Sequence, residues 1–398
     1  MSKSTKVKKR KKVGIVVKLI LVIVFAIVIL MALGISYMLS KFSKVETVEI
    51  KSDELMINAE VEEADFGEGY FNVVLFGLDT REGTVEEGGM SDTIIIASLN
   101  NETKEVKMVS VYRDTYLNLT DGSYGKCNGA YNLGGPTQAV NMLNTNLDLN
   151  LEKYVTVDFT IVTDIIDILG GVELEIDEYE IDFINDYIGE TARVAGKERT
   201  YISEAGVQLL NGVQATTYAR IRKTAGGDFK RTDRQRYVIE QMVEKIKHTD
   251  LGTINKIIDA VVPRVSTNFT PTEIAYYAAA YLDINLGPST GFPQLFSDAM
   301  LPSSGSTVIP ATLRSNVITL HEFLFPEIEY ATSSQVNSNS NTIISHTKEY
   351  TGGVGNSNMS YDTHSKYSIT NELLGREIAE TANGSVDKVF NNPELEFH

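Results

Sequence analysis

Two arginine clusters and two separated aspartates carry the residue types and spacings from which chemistry can be read. Tyr218-Ala219-Arg220-Ile221-Arg222 places Arg220 and Arg222 at i and i+2, so on a strand both guanidiniums point to one face. Gly227-Asp228-Phe229-Lys230-Arg231-Thr232-Asp233-Arg234-Gln235-Arg236 follows, and on a helix Arg231 and Arg234 share a face at i, i+3. They fall in the expected first turn of a helix over 231–247, where a positive side chain opposes the dipole unless an anion is bound. Seven basic residues and two acids lie between Arg220 and Arg236. Planar guanidiniums suit phosphate oxygens; the competing reading is a solvated helix face. Arg113, at the end of another expected strand, completes such a pocket.

Asp79 and Asp92 flank strands expected to be neighbours in one sheet. Each alone reads as a turn or cap residue. As a pair beside arginines they suit Mg²⁺, which keeps several waters and completes its shell with substrate phosphate. Asp228 is a candidate base for an acceptor's proton and equally a candidate N-cap of the 231–247 helix.

The elements that must position these residues are strands mixed with helices. Strands are expected at 71–76, 93–99, 106–112, 154–159, 172–176 and 215–221. Helices are expected at 137–147, 160–169, 204–212, 231–247 and 270–280. The order does not alternate strictly. It predicts a mixed α+β fold with a central mixed β-sheet flanked by helices on both faces.

Leu19 to Leu39 is 21 residues without a charge, about 30 Å of helix, enough for one N-terminal transmembrane helix. Eight basic and no acidic residues lie in positions 1–18, which predicts a cytoplasmic N-terminus and an outward-facing remainder. The formal charge of −17 is therefore unevenly spread: 28 positive against 53 negative charges remain after position 18. So acidic a body makes nucleic acid an improbable partner. The single cysteine, Cys127, excludes an internal disulfide and Cys-rich zinc modules, and there is no HExxH, GxSxG or GxxxxGK[ST]. The expected organisation is a basic tail (1–18), the span (19–39), an acidic stalk (40–69), a catalytic domain (70–250), an ordered extension (251–330) and a polar, largely flexible tail (331–398) with a short helix over 370–382.

The segments NVVLFGLDTR, SDTIIIASLN, VSVYRDTYL, KCNGAYNLGG, VDFTIVTDIIDILGGVELEI, LNGVQATTYARIR and GDFKRTDRQR, in that order between Asn72 and Lys247, resemble the LytR-CpsA-Psr family of membrane-anchored cell-wall enzymes. The resemblance implies transfer of a glycopolymer (teichoic acid, capsule or another wall polysaccharide) from a polyprenyl-pyrophosphate carrier to peptidoglycan. It implies Asp79 and Asp92 as Mg²⁺ ligands, and Arg81, Arg113, Arg220, Arg222, Arg231, Arg234 and Gln235 as pyrophosphate-binding residues. It also implies an apolar cleft for the lipid, for which the helices at 137–147, 160–169 and 235–247 offer apolar faces. The competing functions are a non-catalytic binder of polyprenyl phosphate and a hydrolase of the same lipid-linked substrate. A transcriptional regulator fits poorly with a large domain outside the membrane.

Overall fold

The computed structural model describes residues 46–47, 50–63, 69–78, 89–224, 226–280, 284–351 and 359–361. The basic tail, the apolar run 19–39, Asp79, Arg81 and the expected helix over 370–382 lie outside the described residues. Among the described residues, no helix is long and apolar enough to cross a membrane.

The period-two pattern of Tyr70–Leu78 (β2) buries Val74, Phe76 and Leu78 on one face and turns Leu75 and Gly77 to the other. This strand lies inside a seven-stranded sheet. Its members are Glu46–Thr47 (β1), β2, Ser91–Asn100 (β3), Glu105–Val111 (β4), Lys153–Asp158 (β7), Ser266–Thr267 (β10) and Asn285–Phe292 (β11). Their spatial order is β1-β10-β7-β2-β3-β4-β11. Three neighbouring pairs are parallel (β1–β10, β7–β2, β4–β11) and three antiparallel (β10–β7, β2–β3, β3–β4), so the sheet is mixed, as the element order predicts. Two-stranded ladders, Tyr116–Asn118 with Tyr124–Lys126 (β5, β6) and Val172–Ile176 with Gly206–Leu210 (β8, β9), stand beside it. So does a small sheet of Leu295–Leu301, Gly305–Pro310 and Met359–Tyr361 (β12–β14).

Helices cover both faces. A short helix, Ala59–Glu63 (α1), precedes the sheet. Gly129–Leu147 (α2), Leu313–Leu324 (α9) and Ser334–Thr351 (α10) pack on the face carrying Val74, Phe76, Ile94 and Ile96. On the opposite face lie Phe159–Ile168 (α3), Glu178–Ala195 (α4), Gly212–Tyr218 (α5) and Gly227–Lys247 (α6), with Ile239 of α6 against Ile95 and Met108. Leu251–Val261 (α7) and Pro271–Ala280 (α8) flank β10. Helix α2 is interrupted at Gly134 and Gly135, the latter at φ +64°, before Pro136 opens its second segment.

Several boundaries differ from those expected. Residues 212–218 form a helix, not a strand, because Asn211 caps it: Asn211 Oδ1 accepts from Gln214 N at 2.9 Å, and Asn211 N donates to Gln214 Oε1 at 3.0 Å. The threonines that suggest a strand are accommodated, since Thr217 Oγ1 donates back to Val213 O at 2.6 Å. Residues 206–210 are a strand, not a helix, because they pair with β8. No boundary falls at 250, since β10 and β11 complete the same sheet on both sides. Residues 50–63 of the expected stalk fold onto α2: Met56 N donates to Asn141 Oδ1 (2.9 Å), Asn141 Nδ2 donates to Glu54 O (2.8 Å), and Val61 is buried. Residues 334–351 of the expected flexible tail are helical. One stripe, Val336, Asn339, Ser340, Ile343 and Thr347, is buried, and Asn339 Nδ2 donates to Thr145 O and Asn146 Oδ1 of α2. Polar side chains pack here because their hydrogen bonds are met.

Candidate active site

The site begins with an irregularity at the edge of β3. Gly77 faces Thr93 and Leu78 faces Ser91, so Asp92 has no partner across the ladder. Such a bulge re-aims a side chain, and Asp92 turns into a cavity on the α3–α6 face of the sheet. Gly77 permits this close pairing: a Cβ there would meet Thr93 Cβ at 2.8 Å. Arg113 follows β4, Arg222 follows α5, and Arg231 sits in the second turn of α6. All three converge on Asp92.

Arg113 Nη1 lies 2.7 Å from Asp92 Oδ1 and Arg222 Nη2 lies 2.8 Å from Oδ2. Arg231 Nη2 donates to the Asp92 carbonyl at 3.2 Å and to Asp228 Oδ2 at 2.9 Å. Asp228 Oδ1 stands 3.6 Å from Arg113 Nε and 3.7 Å from Arg222 Nε. Three guanidiniums thus surround two carboxylates. Burial pushes the Asp92 carboxyl up, but Arg113, Arg231 and Arg222 outweigh it and hold it below its usual range. Burial works against the charge on Arg113, yet Asp92 and Asp228 raise its pKa above the ordinary value. At Arg231 burial prevails. Asp228 restores part of the loss, Arg222 and Arg113 add to it, and the group is pushed down to about 10, still cationic at neutral pH. An anion would relieve that tension.

Arg220 takes a different position from Arg222, because the segment is the end of a helix and not a strand. Its guanidinium stacks 4.2 Å from the Phe159 ring centroid, and Nη1 donates to Thr191 Oγ1 at 3.2 Å. Both arginines nevertheless line the cavity, with Arg231 and Gln235. Buried polar atoms without a hydrogen bond lie on the cavity at Arg231 and Gln235, and outside its lining at Arg113 and Asp228. Among the described residues, Arg113 Nε, Arg231 Nε, Asp228 Oδ1 and Gln235 Oε1 make no hydrogen bond.

Arg234 is the expected ligand that the structure removes from the group. Helix α6 begins at Gly227 with Gly226 as its N-cap at φ +87°, four residues before the expected start. Arg231 and Arg234 therefore lie beyond the first turn, and the dipole argument does not apply to them. Asp228 is in the first turn and is not the N-cap. Arg234, 1% exposed, faces away from the cavity and pairs with Glu180, 2% exposed, at 2.6 Å.

Behind the charged mouth the cavity is apolar, about 440 Å³, with walls from Leu75, Ile95, Val155, Val162, Val238 and Met242. Helices α3 and α6 contribute, as expected. The 137–147 helix does not: it is buried in the core on the other face of the sheet. Helix α4 supplies Tyr187, Glu190 and Thr191, where no element is expected, and α5 with its C-cap supplies Thr216 and Ala219, where a strand is expected. The Asn211–Gln214 capping spacing was the available signal for α5.

For a divalent ion the described donors are incomplete. Among the described residues, no three His, Cys, Asp or Glu side chains gather to hold a metal. Both Asp92 oxygens are engaged by guanidiniums. The donor set suits an ion that arrives with phosphate oxygens, not a free one.

A mouth lined by arginines opens over an apolar cavity, on a mixed sheet covered by helices. Residues 35–286 match the LytR_cpsA_psr family, and the chain belongs to it. It is 31% identical over 261 residues to the polyisoprenyl-teichoic acid--peptidoglycan teichoic acid transferase TagV of Bacillus subtilis (strain 168), covering 64% of each chain. It thus spans under two thirds of that relative's length. Protein gbs0355 from Streptococcus agalactiae has the same fold, with a TM-score of 0.57 and 25% identity over 69% of this chain and 91% of that one. So does the LytR-CPS2A-psr family protein YwtF (TagT) with bound octaprenyl pyrophosphate lipid, with a TM-score of 0.50 and 20% identity over 70% of this chain and 99% of that one.

Proposed function

We propose that this protein is a phosphotransferase that moves a glycopolymer from a polyprenyl-pyrophosphate carrier to peptidoglycan. The observation that carries the reading is one cavity lined by Arg220, Arg222 and Arg231 at its mouth and by apolar side chains behind Asp92. An anionic head and a long apolar tail fit that combination. The names of the relatives, teichoic acid transferases, support the same class of reaction.

In this mechanism Arg220, Arg222 and Arg231 hold the pyrophosphate oxygens, and Arg113 braces Asp92 from behind. Gln235, which also lines the cavity, donates an amide N–H to the same head group. The acceptor hydroxyl attacks the phosphorus that carries the glycan. The P–O bond to polyprenyl phosphate breaks, and the proton passes to Asp228 Oδ1. Mg²⁺, held by Asp92 with Asp79 and by phosphate oxygens, would neutralise charge on the leaving phosphate. Arg81 belongs to the same proposed set. The uncharged run 19–39 behind a basic flank supports a single membrane span, with the N-terminus in the cytoplasm and the domain in the envelope where the acceptor lies.

The test uses the full chain in detergent with polyprenyl-pyrophosphate glycan and peptidoglycan fragments. Release of polyprenyl phosphate is followed with and without Mg²⁺, beside Arg220→Ala. Metal-dependent release that yields acceptor-linked glycan and fails in the variant is expected. Tight lipid binding without release would replace the transferase with a binding module, and free glycan phosphate would replace it with a hydrolase.

A further inference from the structure

Arg234 was expected to bind phosphate, yet it is sealed inside the protein. Its Nε donates to Glu180 Oε1 at 2.8 Å, and Nη2 lies 2.6 Å from the same oxygen. Two further contacts reach the segment that follows α5: Nη1 donates to Ile221 O at 3.2 Å, and Nη2 donates to Thr224 Oγ1 at 2.9 Å. The other Glu180 oxygen accepts from Asp177 N at 3.1 Å, which fixes the start of α4. One guanidinium therefore joins α6, the N-terminus of α4 and the two residues, Ile221 and Thr224, that bracket Arg222 and Lys223.

A buried ion pair is a costly way to gain stability, since apolar residues of similar size often do as well. What apolar residues cannot do is fix a main-chain carbonyl and a hydroxyl at defined positions. Arg222 has a strong need for such fixing. Its side chain is 42% exposed and reaches Asp92 from a stretch without regular structure. Ile221 is fully buried and anchors one side of it; Thr224, also buried, anchors the other.

The geometry points to Arg234 and Glu180 as a positioning pair that holds the Ile221–Thr224 segment so that Arg222 meets Asp92 at the phosphate site. The pair touches no substrate. It acts through Arg222, and its importance for ligand binding rests on the pyrophosphate reading above.

The test is a folded variant that lacks the brace. The double substitution Glu180→Leu with Arg234→Met keeps the interior filled and removes both charges together. Thr224→Val is a milder second variant that removes one of the two contacts to the segment. The first readout needs no ligand: the rate of tryptic cleavage after Arg222 and Lys223 in the native full chain. It should rise severalfold in the double variant and less in Thr224→Val. The second readout is affinity for farnesyl pyrophosphate by calorimetry. It should fall about tenfold in the double variant, and not fall further when the brace is removed from an Arg222→Ala protein, because the two changes act in series.

An unchanged cleavage rate in the folded double variant would overturn the proposal, as would an affinity loss that persists undiminished in the Arg222→Ala background. If the double variant fails to fold, Thr224→Val decides by the same criteria. Failure of the unaltered protein to bind farnesyl pyrophosphate would count against the functional reading, and the cleavage rates would still decide the brace.

Discussion

Arg222 Nη2 lies 2.8 Å from Asp92 Oδ2, although the two residues are 130 positions apart in the chain. The contact joins the segment after α5 to the bulge in β3 at the mouth of the cavity. It also sets the charge state of the site. Replacing Asp92 by Asn would leave Arg113, Arg222 and Arg231 with less compensation and should cost about 2 kcal/mol at neutral pH, the size of a charged hydrogen bond.

The sign of the pH dependence follows from the depressed Asp92 carboxyl. A carboxylate held below its unfolded value contributes stability above that value and loses it as pH falls through the folded one. The gap between the unaltered protein and Asp92→Asn should therefore persist down to about pH 4 and close below it. Urea denaturation of both proteins across that range measures it.

The cavity should discriminate by tail length. Val162 lines its apolar wall, and Val162→Phe would fill part of the 440 Å³ without changing any charge at the mouth. Affinity for a long polyprenyl pyrophosphate should drop at least tenfold while affinity for inorganic pyrophosphate holds. Calorimetry with both ligands checks this. Equal losses would mean that the tail lies elsewhere.

Asp228 should act in turnover more than in binding. Oδ2 is committed to Arg231 at 2.9 Å, and Oδ1 makes no hydrogen bond among the described residues. Asp228→Asn keeps the shape and removes the base, so kcat should fall about 100-fold or more with little change in KM. A rise in KM alone would assign Asp228 to holding Arg231 instead.

His321 should make the fold acid-sensitive away from the site. It is buried and stacked on Tyr330 at 3.6 Å between centroids, with Nε2 2.9 Å from Leu147 O. Burial pushes it from 6.5 down to about 4. Between those values the unfolded chain takes up a proton that the folded one refuses, so stability is full above 6.5 and falls as pH drops toward 4. His321→Phe should flatten that slope in denaturation midpoints, at a cost of about 1–3 kcal/mol at neutral pH for the lost hydrogen bond to Leu147.

Features that depend on local pattern are legible in the amino-acid sequence. Apolar runs bounded by turn residues mark β2, β3 and β4, and alternation marks β7, each within a residue or two. The arginine clusters and Asp92 were legible because charge concentrated in an acidic chain has few structural uses. The threonines of 212–218 favour a strand, and the Asn211–Gln214 cap outweighs that preference.

Which face of a helix lines the cavity depends on packing between distant segments. Arg231 and Arg234 are three residues apart on α6, yet one meets Asp92 and the other meets Glu180. Spacing places them on neighbouring stripes. What packs against each stripe, a cavity mouth or the start of α4, is set by chain distant in sequence. The same holds for 334–351: its composition reads as solvated, and its buried asparagine finds acceptors on α2 that no local pattern could announce.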